Sequence, residues 1–508
     1  MSRLKRFATG VLSGYAAIIA NVLYTLCSIP LALHFLSRAE FGLWSLVTQI
    51  ATYLLLLDLG MAGSISRILI DHKDNIADGN YGAVIKTGAL VLMVQGALIA
   101  IGGILLTFGL VSLLEIPLNF ARDFKFLLAG QCIALGVFFV TRMSLHILNA
   151  HQRYDFGNYG QIAYFAANLV AMWIGFRAGL GLYAMLLGNV AAMFCSSALL
   201  MGAVRALNLF PAREAWGTAS WPVFRQLFAF SNELFLLSLG QQLVNGSQAL
   251  VITRTLGLDA VTVWSVAMKA FSLAQQFIWR LWDYSAGAIA EMIVRAERDR
   301  MRQRFRQIFV ITASLSVLTA TAIAVCNSDF LAIWTRHRIA WSRTNDFLCA
   351  ALLVVNCVTR LHVGLLGPTK KIGRMRYIYF LEGVSFVILG LLVGRQWGIG
   401  GILVAAIVMN IFWTGIYGIL RTAREFNVNA REIIIDWQKV PARFASVLIP
   451  LAFVTAWFTH SLPNGTRLAV NAITIGIVGT GLLWKLGLTD ELRREAMERL
   501  SKLRRRID

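Results

Sequence analysis

The chain has 508 residues, of which 57% are hydrophobic and only 14% are charged, and its mean hydropathy is +0.66. A soluble domain carries about 25% charged residues, so this composition excludes a soluble protein and indicates a polytopic membrane protein. The formal net charge of +21 would suggest nucleic-acid binding in a soluble protein. Here the basic residues lie in short loops between apolar runs, so we expect contact with anionic membrane lipids and no nucleic acid partner.

The six cysteines lie mostly within apolar runs and form no CxxC pair, which is typical of small core residues rather than of a disulfide or metal framework. The sequence also contains no P-loop, no zinc-ligand spacing and no aspartate-rich loop motif of a nucleotide-sugar enzyme. We therefore expect no metal and no cofactor, and we do not expect an enzyme. The basic start, Met1 to Arg6, precedes a long apolar run and predicts a first spanning helix rather than a cleaved signal.

Fourteen segments are long and apolar enough to be candidate spans, because a crossing needs about 20 mostly apolar residues. The candidates at 157–176 and 262–289 are the weakest, since they carry polar residues. The predicted spans are roughly 11–36, 43–66, 87–114, 123–147, 157–176, 181–204, 229–253, 262–289, 307–327, 345–366, 375–394, 399–420, 442–460 and 468–486.

Lysine and arginine are distributed unequally between the two sides of this arrangement. With the N-terminus placed in the cytoplasm, the cytoplasmic segments hold 33 basic residues, the opposite side holds 10, and four lie within spans. Cytoplasmic loops of membrane proteins carry an excess of Lys and Arg. The distribution therefore supports the set of fourteen spans and predicts that both termini are cytoplasmic.

Arg142 stands inside the fourth predicted span, where a charged side chain costs a few kcal/mol or more and usually faces a cavity or a partner. Its tripeptide, Val140-Thr141-Arg142, recurs as Val358-Thr359-Arg360 near the end of the tenth span, at an offset of 218 residues. The matching positions indicate an internal repeat with one buried cation in each copy. Both arginines precede the cytoplasmic ends of their spans by about six residues, which is roughly 9 Å of depth. Snorkelling to the inner headgroups is the alternative interpretation.

A second pair of segments supports the repeat, because 35–46 resembles 254–266 at an offset of 220 residues. Spans 1–6 then correspond to spans 7–12, and both copies enter the membrane from the same side. Repeats of this kind place the substrate site between the two halves. The matched residues are Leu36 with Leu256, Trp44 with Trp264, and Ser45 with Ser265.

The predicted fold class is an all-α polytopic membrane protein with two pseudo-symmetric six-helix lobes and two additional C-terminal helices. The mixture of tryptophan, phenylalanine and arginine after the first lobe is typical of an interfacial helix. The parts are an N-lobe at 1–210, a cytoplasmic interfacial linker helix at 211–228, a C-lobe at 229–425, spans 13 and 14 at 426–488, and a basic cytoplasmic tail helix at 489–508.

The eighth span contributes further cations to a candidate substrate site. Lys269 and Arg280 are eleven residues apart, about three helical turns, and therefore share one face. Arg280 and Asp283 are i, i+3 neighbours, so pairing along the helix is an alternative role for both. Arg67 lies at the predicted inner rim. With Arg142 and Arg360 these side chains form a cationic set, and a guanidinium fork suits phosphate because it can donate two hydrogen bonds.

Acidic residues inside the spans are candidates for ion coupling or for charge pairing, because a lone carboxylate in an apolar run needs a cation or a proton. Asp58 in span 2 and Glu382 near the middle of span 11 are the main candidates, and Asp283 and Glu233 are the others. For each of them a purely structural partnership is the alternative.

Two intramembrane histidines, His146 and His362, raise the alternative of a membrane acyltransferase. The repeat does not pair them, since His146 aligns with Gly364. A lone histidine in a span is more often a satisfied packing residue.

The segment PLALHFLSRAEFGLWSLVTQIATYLLLLDLGMAGSISR resembles the polysaccharide transporter (Wzx-type flippase) branch of the multidrug/oligosaccharidyl-lipid/polysaccharide exporter superfamily. The resemblance is carried by Pro30, the turn Leu36 to Gly42, Trp44, and Asp58-Leu59-Gly60. The plan of two six-helix lobes covers residues 1 to about 425. The two additional spans resemble those of the fourteen-span lipid II flippases, although the N-terminal sequence does not look like theirs.

The resemblance implies a MATE-like fold in a bacterial inner membrane and a flippase activity. The implied substrate is an undecaprenyl-diphosphate-linked oligosaccharide of O-antigen, capsule or exopolysaccharide synthesis, moved from the inner to the outer leaflet by alternating access. A polysaccharide polymerase and its chain-length machinery are the implied protein partners. The cations agree with this function, because a diphosphate cannot cross an apolar core unless its charge is neutralised.

Three other functions remain open. An ion-coupled multidrug antiporter of the same superfamily would be expected to have an acidic cavity, whereas the embedded charges here are predominantly cationic. A glycan polymerase would be expected to have a large outer loop, and the predicted topology has none, while an acyltransferase would depend on an intramembrane histidine. A passive scaffold would not require buried cations.

Overall fold

The computed structural model describes residues 3–58, 61–365, 369 and 373–504, apart from the side chains of some helical residues, Glu233 among them. Within these ranges the chain is helical and contains no β-strand. The all-α fold class predicted from the sequence is confirmed.

The first part of the chain forms eight helices joined by short turns. Several of them are apolar all round rather than on one face, which is typical of helices in lipid. They are α1 Arg3–Phe35, α2 Arg38–Leu54, α3 Met61–His72, α4 Asn80–Leu113, α5 Leu118–Phe139, α6 Arg142–Ala150, α7 Tyr154–Arg177 and α8 Tyr183–Ala206.

The remaining helices include several with short π-helical segments beside them. The helices are α9 Trp221–Leu256, α10 Leu258–Val294, α11 Arg298–Trp334, α12 Arg343–Gly364, α13 Met375–Asn410, α14 Ile416–Phe426, α15 Lys439–Phe458, α16 Asn464–Ile473, α17 Thr480–Leu482 and α18 Asp490–Arg504. The π-helical segments are Ile411–Gly415, Glu432–Asp436, Thr474–Gly479 and Leu483–Gly487.

Ten helical segments in the described part of the chain are long and apolar enough to cross a membrane. One of them, Met375–Phe426, has 52 residues and contains a non-helical residue, Gly398, close to the boundary predicted between spans 11 and 12. Because one crossing needs about 20 residues, this segment is long enough for two. The protein is therefore a multi-pass membrane protein, and the number of fourteen crossings stays a prediction.

The chain divides into two compact units, Met1–Thr262 and Val263–Asp508. In the first unit α4 packs against α5, and α7 packs against both α1 and α8. Buried side chains of α3, α4, α6 and α8 form its core, with Ile65, Leu92 and Ile147 at full burial. This unit includes α9, whereas the predicted C-lobe begins at residue 229, and the lobe boundaries stay a prediction.

The second unit has an aromatic core. Phe305 and Phe309 are fully buried there and each contacts the fully buried ring of Trp437, and α15 and α16 pack against α11. The C-terminal helix α18 is held to α11 by an ion pair of 2.7 Å between Arg304 and Glu495. The helix predicted for the tail is thus present.

The second predicted span is not one continuous helix. After Leu54 the backbone tightens into a 3₁₀ turn, Leu55–Asp58, and helical structure resumes in α3. The Gln95 side-chain amide donates to the carbonyl oxygens of Leu57 and Asp58, at 3.1 and 3.0 Å. These hydrogen bonds give partners to two backbone carbonyl oxygens where the helix is interrupted. Asp58 therefore lies in a turn rather than in the middle of a helix.

The fourth predicted span is also interrupted, between Phe139 and Arg142. The Thr141 hydroxyl donates to the carbonyl oxygen of Phe138 at 2.6 Å. Ser and Thr side chains can bond nearby backbone carbonyl groups in this way and so compete with the regular hydrogen bonds of a helix. Arg142 is therefore the first residue of α6. Its repeat partner, Arg360, lies inside the continuous helix α12, so the two copies differ here.

The linker at 211–228 does not form the single interfacial helix predicted for it. Only a short 3₁₀ turn, Arg213–Ala215, and the residues from Trp221 onward are helical. Gly217 adopts a left-handed φ of 56° that ends regular structure, and its carbonyl accepts a hydrogen bond of 2.7 Å from Lys86 Nζ. Lys86 therefore holds the linker on α4, a long-range contact that composition does not reveal.

We predict that Gly96→Ala destabilises the first unit by about 1–3 kcal/mol, the range expected for overpacking. The reason is that a Cβ on Gly96 of α4 would collide with the carbonyl oxygen of Gly136 on α5. Thermal unfolding of the purified protein in detergent measures the effect. Gly109→Ala on the same helix is the control, because a Cβ there meets nothing within 4 Å. Equal unfolding temperatures for the two variants would contradict this account of the packing.

Candidate functional site

A cavity of about 350 Å³ in the first unit brings Arg142 and Asp58 to one place. Residues of the turn after α2 and of the short segment between α5 and α6 line this cavity. The remaining polar lining residues are hydroxyl-bearing, namely Thr141, Tyr164, Ser196 and Ser197. The cavity therefore offers one cation, one carboxyl group and several neutral hydrogen-bonding groups.

Arg142 is held over an aromatic ring. Its guanidinium carbon lies 4.6 Å from the centroid of the Phe139 ring, three residues earlier in the chain. The hydroxyls of Thr141 and Ser197 are hydrogen-bonded at 2.7 Å, and this bond links the segment between α5 and α6 to α8. A cation over a ring gains about 0.5–2 kcal/mol, and within the described part of the chain no hydrogen bond or ion pair occupies the guanidinium donors.

Arg360 has a comparable arrangement in the second unit. Its guanidinium carbon lies 5.0 Å from the centroid of the Trp279 ring, and a terminal nitrogen lies 3.6 Å from Asp283 Oδ1. The Arg360 side chain remains 30% exposed. Asp283 is thus paired with Arg360 of α12 and not with its helical neighbour Arg280, so the alternative of pairing along α10 is wrong.

The two repeat-related arginines share a pattern that their sequence alone does not show. Each is half-buried, each is the third residue of the tripeptide Val-Thr-Arg, and each is stacked on an aromatic ring. They differ in their acids, because Arg360 has Asp283 within an ion-pair distance, whereas Arg142 shares a cavity with Asp58. Each unit therefore presents one partly accessible guanidinium, and each of these groups is a candidate functional group within its own unit.

The other predicted cations lie on helix surfaces. Lys269 and Arg280 are both exposed on α10, which runs continuously through both positions, so their eleven-residue spacing does place them on one face. Arg67 is exposed on α3. The Glu233 side chain lies outside the described residues, and only its place in α9 is known.

Glu382 is the most completely enclosed of the predicted acids, with 1% exposure. The Asn410 side-chain amide donates to its Oε1 at 3.0 Å, and the Thr414 hydroxyl donates to its Oε2. Asn410 precedes and Thr414 lies within the π-helical segment Ile411–Gly415, and such segments are frequent at functional sites. Among the described residues its partners are neutral, which suits a carboxyl group that takes up and releases a cation or a proton.

His146 and His362 are both buried and each has a hydroxyl partner at 2.9 Å. Nδ1 of His146 meets Ser66 on α3, and Nδ1 of His362 meets Thr422 on α14. Each histidine thus ties two helices of its own unit, a packing role. In the described part of the chain no group of three or more His, Cys, Asp or Glu side chains could hold a metal ion.

Sequence reasoning missed the residues that give these groups their surroundings. Phe139 could have been found, because it stands one helical turn before Arg142 in the sequence. Trp279 lies 81 positions from Arg360, and Asn410 lies 28 positions from Glu382, so no local pattern connects them. A polar pair four residues apart in an otherwise apolar span, Asn410 and Thr414, was the available signal for the Glu382 site.

No protein-family model matches the chain, and no curated protein is similar enough in sequence to match it. Solved structures do match its fold. They include an inward-facing multidrug resistance transporter of the MATE family in the MOP superfamily, with a TM-score of 0.69, 12% identity, and coverage of 79% of this chain and 94% of that one. The Vibrio cholerae MATE transporter VcmN in its bent form matches with a TM-score of 0.57, 15% identity, and coverage of 83% and 97%.

The lipid II flippase MurJ, in an inward closed conformation, matches with a TM-score of 0.60, 11% identity, and coverage of 94% of this chain and 99% of that one. A match of 94% must extend beyond Phe426, because residues 1–426 of 508 are a smaller share. The helices after the twelfth predicted span are thus part of this similarity. At such identities the comparisons establish the fold, which is that of MATE transporters and of this flippase, and these neighbours are transporters rather than enzymes.

We predict that Glu382→Ala lowers the free energy of unfolding by about 1–3 kcal/mol or more, because it leaves the buried donors of Asn410 and Thr414 without an acceptor. Glu382→Gln should cost less, since its carbonyl oxygen still accepts a hydrogen bond. Chemical or thermal unfolding in detergent measures both. Glu214→Ala, at an exposed position, is the control and should lie within about 0.5 kcal/mol of wild type. A Glu382→Ala protein as stable as the control would contradict the hydrogen-bond assignment.

Proposed function

We propose that this protein is a flippase that moves an undecaprenyl-diphosphate-linked oligosaccharide from the inner to the outer leaflet of a bacterial inner membrane, with both termini in the cytoplasm. The observation that carries the proposal is the pair of repeat-related arginines, Arg142 and Arg360. Each is half-buried in its unit and stacked on an aromatic ring with its guanidinium partly accessible.

The physical argument concerns the charge of the substrate. A diphosphate group is excluded from hydrocarbon because unpaired charges are costly to bury. A guanidinium that is already desolvated on one face by an aromatic ring loses less hydration when phosphate binds, and its planar fork can donate two hydrogen bonds to phosphate oxygens. Each unit can therefore bind phosphate at its own guanidinium, and the polyprenyl chain stays in lipid.

The comparisons support the proposal at the level of fold. One structural neighbour is a lipid II flippase, and its similarity to this chain reaches into the helices after Phe426. The resemblance of the N-terminal sequence to polysaccharide transporters adds the expectation of a glycan-linked lipid. A polysaccharide polymerase and its chain-length machinery are the protein partners that this function would require.

We assign ion coupling to Glu382 in the second unit and to Asp58 in the first. Glu382 is enclosed by neutral donors, so binding of a proton or a cation would compensate its charge. Asp58 lies in the same cavity as Arg142, where its charge can respond to substrate bound at the guanidinium. Such a response links ion release to substrate binding.

A multidrug antiporter of the same superfamily is the second candidate function. The fold similarity to MATE multidrug transporters favours it, and so does the enclosed carboxyl group of Glu382. It would bind cationic drugs, whereas the two repeat-related side chains here are cations. Growth in the presence of cationic drugs therefore separates the two functions.

We expect the double substitution Arg142→Glu and Arg360→Glu to abolish export of lipid-linked glycan, because two carboxylates would repel the diphosphate. Surface glycan and the intracellular pool of undecaprenyl-linked oligosaccharide are measured in a deletion strain carrying each variant. Membrane levels are checked by immunoblotting. Arg395→Glu, an exposed arginine outside the candidate site, is the matched control and should export normally.

Wild-type glycan export by the double variant would overturn the flippase proposal. Loss of resistance to cationic drugs in the deletion strain, with no change in surface glycan, would establish the antiporter instead. Replacement by lysine at both positions tests the bidentate geometry, because lysine keeps the charge but lacks the fork, and partial export is expected.

We also expect Glu382→Gln to uncouple transport, because an amide carries no charge to be compensated. Proteoliposomes with an imposed ion or proton gradient measure the effect as substrate flipping that no longer responds to the gradient. The unfolding temperature of the variant is measured as a control, and the result is interpreted only if it shows that the variant is folded. Gradient-driven flipping at the wild-type rate would show that Glu382 has a purely structural role.

A further inference from the structure

A second cavity, of about 550 Å³, lies in the second unit at the ends of α11, α12, α15 and α16. None of the side chains proposed to bind substrate or to couple ions lines it. In the predicted topology this end of the unit faces the outside, since it includes the loop between spans 9 and 10 and the loop between spans 13 and 14. The site is therefore separate from the one already described.

The acidic groups at this cavity are buried and already paired. Asp346 accepts hydrogen bonds from Asn327 at 2.8 Å, from Trp341 at 2.7 Å and from the Ser328 hydroxyl. Asp329 is held by two nitrogens of the Arg467 guanidinium, with Nε at 2.7 Å. The charge of Asp329 is therefore compensated by Arg467, whereas Asp346 is buried and its oxygens are occupied by neutral donors.

The rim of the cavity has a different character. Arg343, His460 and Ser461 all line the cavity and are exposed. Phe347 and Phe453 are stacked with ring centroids 5.5 Å apart, and they remain 41% and 52% exposed. The accessible polar groups are thus cationic or neutral, and they stand next to an accessible apolar wall.

The apolar wall formed by Phe347 and Phe453 continues along α15. Trp457 also lines the cavity and is 81% exposed. Tryptophan favours the boundary between hydrocarbon and headgroups because its ring is amphipathic. An apolar surface of this kind beside an arginine matches a molecule with a hydrocarbon chain and an anionic head. A water-soluble ligand has no hydrocarbon chain that could contact these exposed rings.

We propose that this cavity binds an anionic phospholipid of the outer leaflet. The phosphate contacts Arg343, with His460 and Ser461 as further hydrogen-bonding groups, and an acyl chain lies along Phe453 and Trp457. The guanidinium is the residue type best suited to phosphate. Seated there, the lipid contacts both α12 and α15, and it adds to the Arg467–Asp329 ion pair in holding the additional C-terminal helices on the second unit.

Native mass spectrometry of the purified full-length protein tests the site, with phosphatidylglycerol and phosphatidylcholine titrated as probes. We expect wild type to retain phosphatidylglycerol in preference to the zwitterionic lipid. Arg343→Gln should weaken phosphatidylglycerol binding at least about tenfold, the effect of losing one charge-assisted hydrogen bond. Arg395→Gln, another exposed arginine of the predicted outer side, is the matched control and should bind as wild type does.

A second measurement follows thermal unfolding in the presence of each lipid. Phosphatidylglycerol should raise the unfolding temperature of wild type and of Arg395→Gln more than that of Arg343→Gln. Phe453→Ala should weaken binding of both lipids, because it removes part of the apolar wall. If Arg343→Gln is poorly folded, Arg343→Lys serves instead, and it should keep the preference for the anionic lipid.

Three results would overturn the proposal. Equal binding of the two lipids to wild type, or unchanged phosphatidylglycerol binding in Arg343→Gln, would show that no anion site exists at Arg343. Displacement of phosphatidylglycerol by undecaprenyl phosphate at lower concentration, with the same dependence on Arg343, would assign the site to the carrier lipid instead. None of these results depends on glycan export, so this proposal and the proposed function fail independently.

Discussion

An ionised side chain inside an apolar helix bundle must find a partner, a polarisable ring or access to water, since its burial alone costs several kcal/mol. Much of the irregular structure in this protein serves that requirement. The chain leaves regular helix at Leu55–Asp58 and again between Phe139 and Arg142. These two interruptions surround the cavity that holds Asp58 and Arg142. In membrane proteins, non-helical backbone is tolerated where it is buried in protein or lines a cavity.

The second unit meets the same requirement by different means. Arg360 remains within a continuous helix and is stabilised by the Trp279 ring and by Asp283. Glu382 is enclosed by Asn410 and Thr414, where a π-helical segment changes the register of the helix. The repeat therefore preserves the chemical group, a guanidinium over an aromatic ring, but not the backbone around it.

Charged groups of the C-terminal helices also have partners of opposite charge, which lie on α11 of the second unit. The ion pair between Arg467 and Asp329 joins α16 to α11, and the tail helix adds a pair between Glu495 and Arg304. Charged contacts thus hold these helices at two places, in addition to the apolar packing of α15 and α16 on α11. Apolar contact alone is a weak reason for helices to associate in lipid, because lipid chains are equally apolar. The paired charges supply a specificity that lipid cannot.

The sequence by itself determined the membrane class, the all-helical fold and the approximate positions of the helices. It could do so because hydrocarbon demands about 20 apolar residues per crossing and full backbone hydrogen bonding, and both demands are local. The break at Gly398, between predicted spans 11 and 12, was foreseen for the same reason. The tripeptide shared by Arg142 and Arg360 was also readable, because a repeat is a property of the sequence.

Tertiary structure alone decided what each charged group contacts. Asp283 pairs with Arg360 rather than with Arg280, although Arg280 is its neighbour along the helix, because α12 brings a guanidinium to it. The linker was predicted as one helix, yet Lys86 of α4 holds it in an irregular conformation. Such contacts join residues far apart in the chain, and their energies depend on packing that no local pattern encodes. The helices could thus be predicted from composition, whereas the surroundings of Arg142, Arg360 and Glu382 arise only when the helices meet.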